Sequence, residues 1–437
     1  MKKLIDSKFA YTALLWLLLP YAFFHLYWRS RKQPEYLKHV GERFGRYEVS
    51  CNKPVIWLHT VSVGETRAAV TLIHSLRTRY PDHQILLTHT TPTGRAASKQ
   101  LFGDDVMRVY LPYDYPFAVK RFLRHFKPRV GALLETEIWF NLIHACHSDA
   151  IPVLLLNARL SEKSARSYAR FPRLARASLH ELYLIAAQTE EDATRLAGLA
   201  NKAVPVMGNL KFDIVPPAEM LALGKHFRVL FGERPVLLLA STREGEEELL
   251  LDALRSQQVE RLLVVIVPRH PQRFDEVASL VEKQGLRMQR RSANEAISPH
   301  TQVVLGDSMG EMFAYYASCD LAFIGGSLLP FGGQNLIEAC AVGTPLLIGP
   351  HTYNFGQATE LAVANGAAIQ VTHADDFVQQ LNALMHDIKR MEQMGEAGRK
   401  FVNDNRGATR HAMAHIELAF NQALYNKIVS SQVKSTP

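Results

Sequence analysis

Two acidic segments and two arginine-bearing segments stand out along the chain, each directly after an apolar run. The first is Val61-Ser62-Val63-Gly64-Glu65-Thr66. Ser62-x-x-Glu65 has the spacing of a capping box, in which each side chain satisfies an exposed backbone donor at a helix start, and Gly64 suits a sharp entry. The same position suits a general base. A helix N-terminus favours the ionised carboxylate, and a carboxylate within reach of a hydroxyl can take its proton. Pattern alone leaves both readings of Glu65 open. Glu135-Thr136-Glu137-Ile138-Trp139 brings two acids and an indole to one edge, where Glu135 and Glu137 either complement a helix dipole or contact a ligand.

The arginine-bearing segments are Ser241-Thr242-Arg243-Glu244-Gly245 and Pro268-Arg269-His270-Pro271. Each offers a guanidinium beside hydroxyl or imidazole donors, a set that holds an anion as readily as it caps a helix. Gly325-Gly326-Ser327 and then Gly332-Gly333-Gln334-Asn335-Leu336-Ile337-Glu338-Ala339 read as tight turns leading into a helix. Glycines there expose backbone N–H groups to a phosphate, and Glu338, on one face with Asn335, is placed to accept from ribose hydroxyls. A plain tight turn into a buried helix is the other reading. No Gly-x-x-x-x-Gly-Lys-Ser/Thr loop and no Asp-x-Asp pair occurs, so neither an ATPase of that class nor a metal-held nucleotide is indicated. One basic run, Lys163, Arg166, Arg170, Arg173 and Arg176, is interleaved with Tyr168, Phe171 and Leu174 and divided by Pro172. It is either a solvated face or a surface for lipid phosphates.

These segments need elements that present strand ends. After Lys53, short apolar runs alternate with Gly or Pro turns and helical stretches, which predicts parallel sheets covered by helices. Strands are expected at 55–59, 84–88, 106–111, 129–134, 152–156, 182–187 and 203–207. After a break over 208–217 they resume at 236–241, 262–267, 303–306, 320–324, 344–348 and 368–371. The expectation is an α/β chain of two facing Rossmann-like lobes, residues 31–208 and 226–405, joined by a linker at 209–225 and followed by a closing helix and tail at 406–437. Ligands of such sheets bind at the carboxyl ends of the strands, where the acidic and basic segments fall.

From Phe9 to Trp28 no residue carries a formal charge, and a helix of that length spans about 30 Å, the thickness of a bilayer's hydrocarbon. Its end is aromatic, with Tyr21, Phe23, Phe24, Tyr27 and Trp28 at headgroup level. Residues 1–30 are therefore expected to form a membrane anchor, spanning or, given Pro20 and His25, lying in the interface. A cleaved signal fits poorly, because Tyr27-Trp28 is no small-residue cleavage site. Arg29, Arg31, Lys32, Lys38, Arg43 and Arg46 outnumber Lys2, Lys3 and Lys8, which puts the large C-terminal portion on the cytoplasmic side of a spanning helix.

The composition is that of a folded chain, 437 residues with 47% hydrophobic, long enough for two or three domains and incompatible with disorder. The net charge of +8 suits acidic ligands or anionic lipid surfaces and is too small to argue for nucleic acid. Cys51, Cys146, Cys319 and Cys340 are scattered, without a Cys-x-x-Cys pair. That predicts a reducing compartment and no structural metal.

Taken together, the anchor, Val-Ser-Val-Gly-Glu at 61–65, Glu-Thr-Glu-Ile-Trp at 135–139, Asn-Ala-Arg-Leu-Ser at 157–161, Gly-Asn-Leu-Lys-Phe-Asp at 208–213 and Gly-Gly-Gln-Asn-Leu-Ile-Glu-Ala at 332–339 resemble the Kdo transferases. These are the 3-deoxy-D-manno-octulosonic acid transferases of Gram-negative lipopolysaccharide assembly. The resemblance spans nearly the whole chain. It implies a GT-B-like fold and transfer of Kdo from CMP-Kdo, with inversion and without metal or other cofactor, to a sugar hydroxyl of the lipid A precursor (lipid IVA). The implied place is the cytoplasmic face of the inner membrane, with membrane lipids as partners and no nucleic acid. Carried onto this chain, it makes Glu65 the base. It puts the nucleotide sugar against Ser241, Thr242, Arg243, Arg269 and His270, and against Gly332, Gly333, Gln334, Asn335 and Glu338. Ser62, Gly64, Glu135, Glu137, Lys211, Arg170 and Arg173 become acceptor or sugar contacts. Where the family has Trp-Pro after the paired acids, this chain has Trp139-Phe140. The runner-up is another nucleotide-sugar transferase of the same fold with a different lipid acceptor.

Overall fold

Strands buried on both faces need nearly continuous apolar sequence, and the chain supplies such runs in two series. The computed structural model describes residues 6–31, 33–256 and 261–434, so Lys2, Lys3 and Lys32 lie outside the described residues. It divides into one unit of Met1–Asp213 with Arg406–Pro437 and a second of Ile214–Asn405.

The first unit holds β1 (Val55–His59), β2 (Gln84–His89), β3 (Met107–Tyr110), β4 (Pro128–Leu134), β5 (Val153–Ala158) and β6 (Leu184–Ala187). They form a parallel sheet in the order β3-β2-β1-β4-β5-β6. Trp57, Phe122, Leu133 and Leu155 fill one face, and Ile56, Leu58, Leu72 and Ile73 the other. Gly131 in β4 is required by the first of these cores, since a Cβ there would lie 2.5 Å from the Trp57 ring. The expected strand at 203–207 reduces to a single bridge between Val206 and Ala187.

The second face is completed from the far end of the sequence. The helix Ala408–Lys434 buries Ala412, Ile416 and Ala419 in the first unit's core. Its start is capped by Asp213, whose carboxylate accepts from Gly407 N at 2.7 Å and from Thr409 N.

The second unit holds β7 (Val236–Thr242), β8 (Leu263–Pro268), β9 (Met288–Arg290), β10 (Val303–Leu305), β11 (Leu321–Ile324), β12 (Leu346–Ile348) and β13 (Ala368–Gln370). They too run parallel, in the order β13-β12-β11-β7-β8-β10-β9. The passage expected as a linker, 209–225, contains a 3-10 turn at Leu210–Phe212 and the first half of the helix Ala218–Phe231. That helix packs closely on Met312–Ser318, because a Cβ on Gly224 would stand 2.6 Å from Ala317 and 2.7 Å from the Ala314 carbonyl.

The apolar N-terminal stretch forms two helices, α1 (Lys8–Leu17) and α2 (Leu19–Ser30), bent by 53°. Among the described residues no single helix is long and apolar enough to cross a membrane. Pro20, in the first turn of α2, has no N–H to continue the ladder of α1. The pair is tied to the first unit by polar and aromatic contacts. The Tyr11 hydroxyl donates to Asp114 at 3.0 Å, Thr12 to Asn141 at 3.0 Å, and the Tyr115 hydroxyl to the Leu15 carbonyl at 2.8 Å. Phe140 meets Tyr11 edge-on at 4.9 Å. Phe23 stacks on Phe44 at 5.0 Å. Phe9, Leu17, Tyr21, Phe24, Tyr27 and Trp28 stay exposed.

Candidate functional site

The chain turns from β1 into a short helix, α3 (Val63–Ala68), and Ser62 caps it. Glu65 N donates to Ser62 Oγ at 3.4 Å, Ser62 Oγ donates to Glu65 Oε1 at 2.9 Å, and Val61 N donates to Glu65 Oε2 at 2.6 Å. The carboxylate is thus folded back over its own helix start, at the carboxyl end of the sheet's central strand. Burial, and after it the Glu135 carboxylate, push its pKa up from 4.5 to about 7, against the two hydrogen bonds and with a smaller push from Glu137. Gly64 plays a smaller part than its sequence position suggested. A Cβ there would meet only Ser62 Oγ, at 3.8 Å.

The paired acids after β4 divide their work. Glu135 adopts a left-handed backbone, φ 62°, held by its N–H on the Leu156 carbonyl at 3.0 Å. A non-glycine residue in that region stores about 1 kcal/mol or more. Glu137 accepts from the Trp139 indole at 2.8 Å and lies 3.7 Å from His59 Nε2. Lys211 sits in the 3-10 turn that packs against α3, its N–H on the Asn209 side chain at 3.0 Å. Arg170 and Arg173 are both exposed, and Arg173 lies beside the N-terminal segment. Asp6 accepts from Arg173 N at 3.2 Å and Leu174 N at 2.9 Å, capping the helix Pro172–Glu181.

A buried polar layer behind these acids escaped sequence reasoning. His59 Nδ1 lies 2.9 Å from Thr88 Oγ1, and Thr60 Oγ1 lies 3.0 Å from Thr66 and 3.2 Å from His89 Nδ1. Burial pushes the His89 pKa down to about 3, so that ring is neutral. The signal was the repeated His-Thr at the ends of β1 and β2, polar residues directly after apolar strands.

In the second unit the basic segments converge. Ser241 has φ 57° where β7 slips register against β8. The Arg243 guanidinium pairs with Glu244 at 2.9 Å and lies 4.4 Å over the Phe331 ring. Arg269 N donates to the Thr242 carbonyl at 3.0 Å, and its Nε to Gln334 at 3.1 Å. Burial, then the cations of Arg243 and Arg269, lower the His270 pKa. Gly325 permits the closeness, since a Cβ there would stand 2.5 Å from the Ser241 carbonyl. The residue that fastens this arrangement, Glu246, also escaped notice. Fully buried, it accepts from the N–H groups of Arg243, Gly326 and Leu328 at 2.9, 2.6 and 2.9 Å.

The glycine pair behaves differently from expectation. Gly333 N donates to the Gly326 carbonyl at 2.6 Å, so that amide is already engaged inside the fold. Gly332, at φ 92°, is needed because a Cβ would strike Tyr353 and Asn354 at 2.5 Å. Asn335 accepts from Ile337 N at 3.1 Å and donates to Glu338 at 3.0 Å, which sets the start of the helix Ile337–Val342. Among the described residues no three His, Cys, Asp or Glu side chains converge where a cation could be held.

Residues 38–214 match a family model described as 3-Deoxy-D-manno-octulosonic-acid transferase (kdotransferase), and 242–401 one described as Glycosyl transferases group 1. The 3-deoxy-D-manno-octulosonic acid transferase of Bordetella pertussis is 42% identical over 389 residues, 86% of this chain and 90% of its own. That of Haemophilus influenzae is 37% identical over 409 residues, 92% of this chain and 96% of its own. The crystal structure of a glycosyltransferase from Rickettsia africae gives a TM-score of 0.56 at 14% identity, covering 86% of this chain and 100% of that one. At that identity the likeness speaks for a GT-B-like fold alone.

Proposed function

Since the chain belongs to the 3-deoxy-D-manno-octulosonic acid transferase family and is a glycosyltransferase, we propose that it moves Kdo from CMP-Kdo to a sugar hydroxyl of the lipid A precursor, with inversion and without a metal. The observation that carries the mechanism is Glu65, a half-buried carboxylate with a pKa of about 7 at the end of β1. A base is most effective when its pKa lies near the working pH. Glu65 takes the acceptor proton as the hydroxyl oxygen attacks the anomeric carbon, and the bond to CMP breaks with its electron pair passing to the phosphate. One displacement from the face opposite the leaving group inverts the centre. In the second unit Arg243 and Arg269 are the cations suited to that phosphate, with Ser241 supplying a hydroxyl. Thr242, expected beside them, is fully buried and serves instead through its carbonyl, which accepts from Arg269 N.

The membrane setting is part of the same proposal. The bent α1–α2 pair supports attachment in the interface of the inner membrane, with the large portion on the cytoplasmic side. Its exposed aromatic side chains are of the kind that lodge among headgroups, and Arg173 lies near its start. The decisive experiment is to incubate purified protein with the lipid A precursor and freshly made CMP-Kdo and to record product mass. The expected gain is one or more Kdo residues per acceptor, and an unchanged acceptor mass refutes the reading. Activity in the presence of EDTA and the anomeric configuration of the product test metal independence and inversion.

A further inference from the structure

A cavity of about 180 Å³ in the first unit is lined by Arg29, Tyr36, Arg43, Thr91 and Trp139, among others. Two of its walls are shared with the acid cluster. Trp139 donates to Glu137, and Thr91 Oγ1 donates at 2.8 Å to the carbonyl of Val61, the residue whose N–H holds Glu65.

Arg43 counted among the basic residues flanking the anchor in the sequence, yet it is only 3% exposed. Its Nη1 donates to the Thr90 carbonyl at 3.1 Å and its guanidinium lies 4.1 Å over the Tyr110 ring, while Nε and Nη2 are buried without a hydrogen-bond partner. The adjacent acid cannot serve it. Glu42 is taken by Arg95, at 2.5 and 3.3 Å, and by Tyr110 N at 2.7 Å. Arg29 lies 5.1 Å over Tyr36, and among the described residues neither Arg29 nor Arg43 has a carboxylate partner. Burying a guanidinium without a carboxylate is costly, so the buried Arg43, with the exposed Arg29 lining the same small cavity, marks a place built for an anion. Whole nucleotide-sized ligands occupy roughly 300 Å³ or more. This cavity suits a single phosphate group.

We propose that this cavity is a phosphate subsite, in which Arg43 and Arg29 grip a phosphomonoester of the acceptor while its hydroxyl is presented to Glu65. The proposal rests on the acceptor reading above. A phospholipid headgroup offers the same phosphate chemistry, and the test separates the two sources.

Full-length wild type, Arg29→Gln, Arg43→Gln and Arg43→Lys are assayed for transfer to the lipid A precursor and to the same lipid after phosphatase treatment. The expected result is a rise of about tenfold or more in acceptor KM for both Gln variants, the scale of losing a charge-assisted hydrogen bond. The kcat should be unchanged, Arg43→Lys intermediate, and no variant should differ from wild type on the dephosphorylated lipid. An equal KM penalty on both lipids overturns the proposal. Loss of binding to phosphatidylglycerol vesicles with acceptor KM unaltered also overturns it and assigns the cavity to headgroups. Should Arg43→Gln fail to fold, Arg29→Gln, on the exposed face of α2, carries the comparison. A second readout needs no transfer: inorganic phosphate should raise the melting temperature of wild type and not of Arg29→Gln. Absent transfer with that stabilisation intact would sink the acceptor reading and leave the phosphate site standing, whereas equal stabilisation of both proteins would remove the site.

Discussion

Ser62 and Glu65 are bonded twice, the hydroxyl donating to the carboxylate at 2.9 Å and receiving the Glu65 backbone N–H at 3.4 Å. Helix cap and proton acceptor are therefore one arrangement, not competing ones. The cap holds the carboxylate in a fixed rotamer, while burial and Glu135 keep its affinity for a proton high. Glu65→Gln retains an oxygen for Val61 N but cannot take a proton, so transfer should fall by about 10² to 10⁴ with CMP affinity unchanged by calorimetry. Near-wild-type transfer would remove Glu65 from the mechanism.

The same substitution should affect stability in the opposite direction. With its pKa raised from 4.5 to about 7 in the fold, Glu65 stabilises the native state most below pH 4.5, and that contribution is lost as pH rises through 7. Glutamine never ionises and escapes the loss. Glu65→Gln should match wild type near pH 4 and exceed it at pH 8 by about 1–3 kcal/mol, measured by urea unfolding at the two pH values. Equal stability at pH 8 would mean that burial does not oppose ionisation there.

Glu135 raises the Glu65 pKa from a left-handed backbone that costs the fold something to hold. Removing its charge with Glu135→Gln should move the acidic limb of the pH profile of kcat/KM, expected near pH 7 in wild type, toward lower pH. A limb that stays in place would assign Glu135 to substrate contact alone.

What the sequence made legible follows from physical cause. Twelve of the thirteen strands lie in or overlap apolar runs with turn residues around them. The exception, β9, is Met288-Gln289-Arg290, a half-exposed edge strand with no apolar run to betray it. The helical spacing after Ala408 gave away an apolar face but not the sheet that it covers, because periodicity names no partner. Glu246 was hidden by its neighbours. Three successive glutamates at 246–248 look like acids favouring a helix start, and only coordinates show one of them gathering three backbone N–H groups. The positive φ of Glu135 and Ser241 had no sequence signal at all, since neither is a glycine.

Glu246 yields a prediction about the second unit. Glu246→Ala strips acceptors from the N–H groups of Arg243, Gly326 and Leu328, and buried donors left unsatisfied cost about 1–3 kcal/mol each. The loss should appear as a lower melting temperature together with weaker CMP binding, because the Ser241–Arg243 turn loosens. Arg269→Ala, which releases Gln334 without breaking that clip, should weaken CMP binding and leave the melting temperature nearly unchanged. Unaltered CMP affinity in both variants would place the nucleotide elsewhere.

The bent N-terminal pair carries the last prediction. α1 is held to the first unit by Tyr11 on Asp114 and by Tyr115 on the Leu15 carbonyl, whereas Phe24 and Trp28 on α2 stay exposed. Docking and membrane contact thus use different side chains and can be separated. Phe24→Ser with Trp28→Ser should leave the melting temperature in place and reduce flotation with vesicles of any charge, because each change removes apolar area from the bilayer interface. Arg170→Glu with Arg173→Glu should reduce flotation only with anionic vesicles, by about 1 kcal/mol or more per residue, and the effect should fade as salt is raised. Tyr11→Phe, by contrast, removes a donor from the buried Asp114 carboxylate and should lower stability without touching vesicle binding. If the aromatic pair can be removed with no loss of flotation, the exposed face of α2 is not the membrane surface.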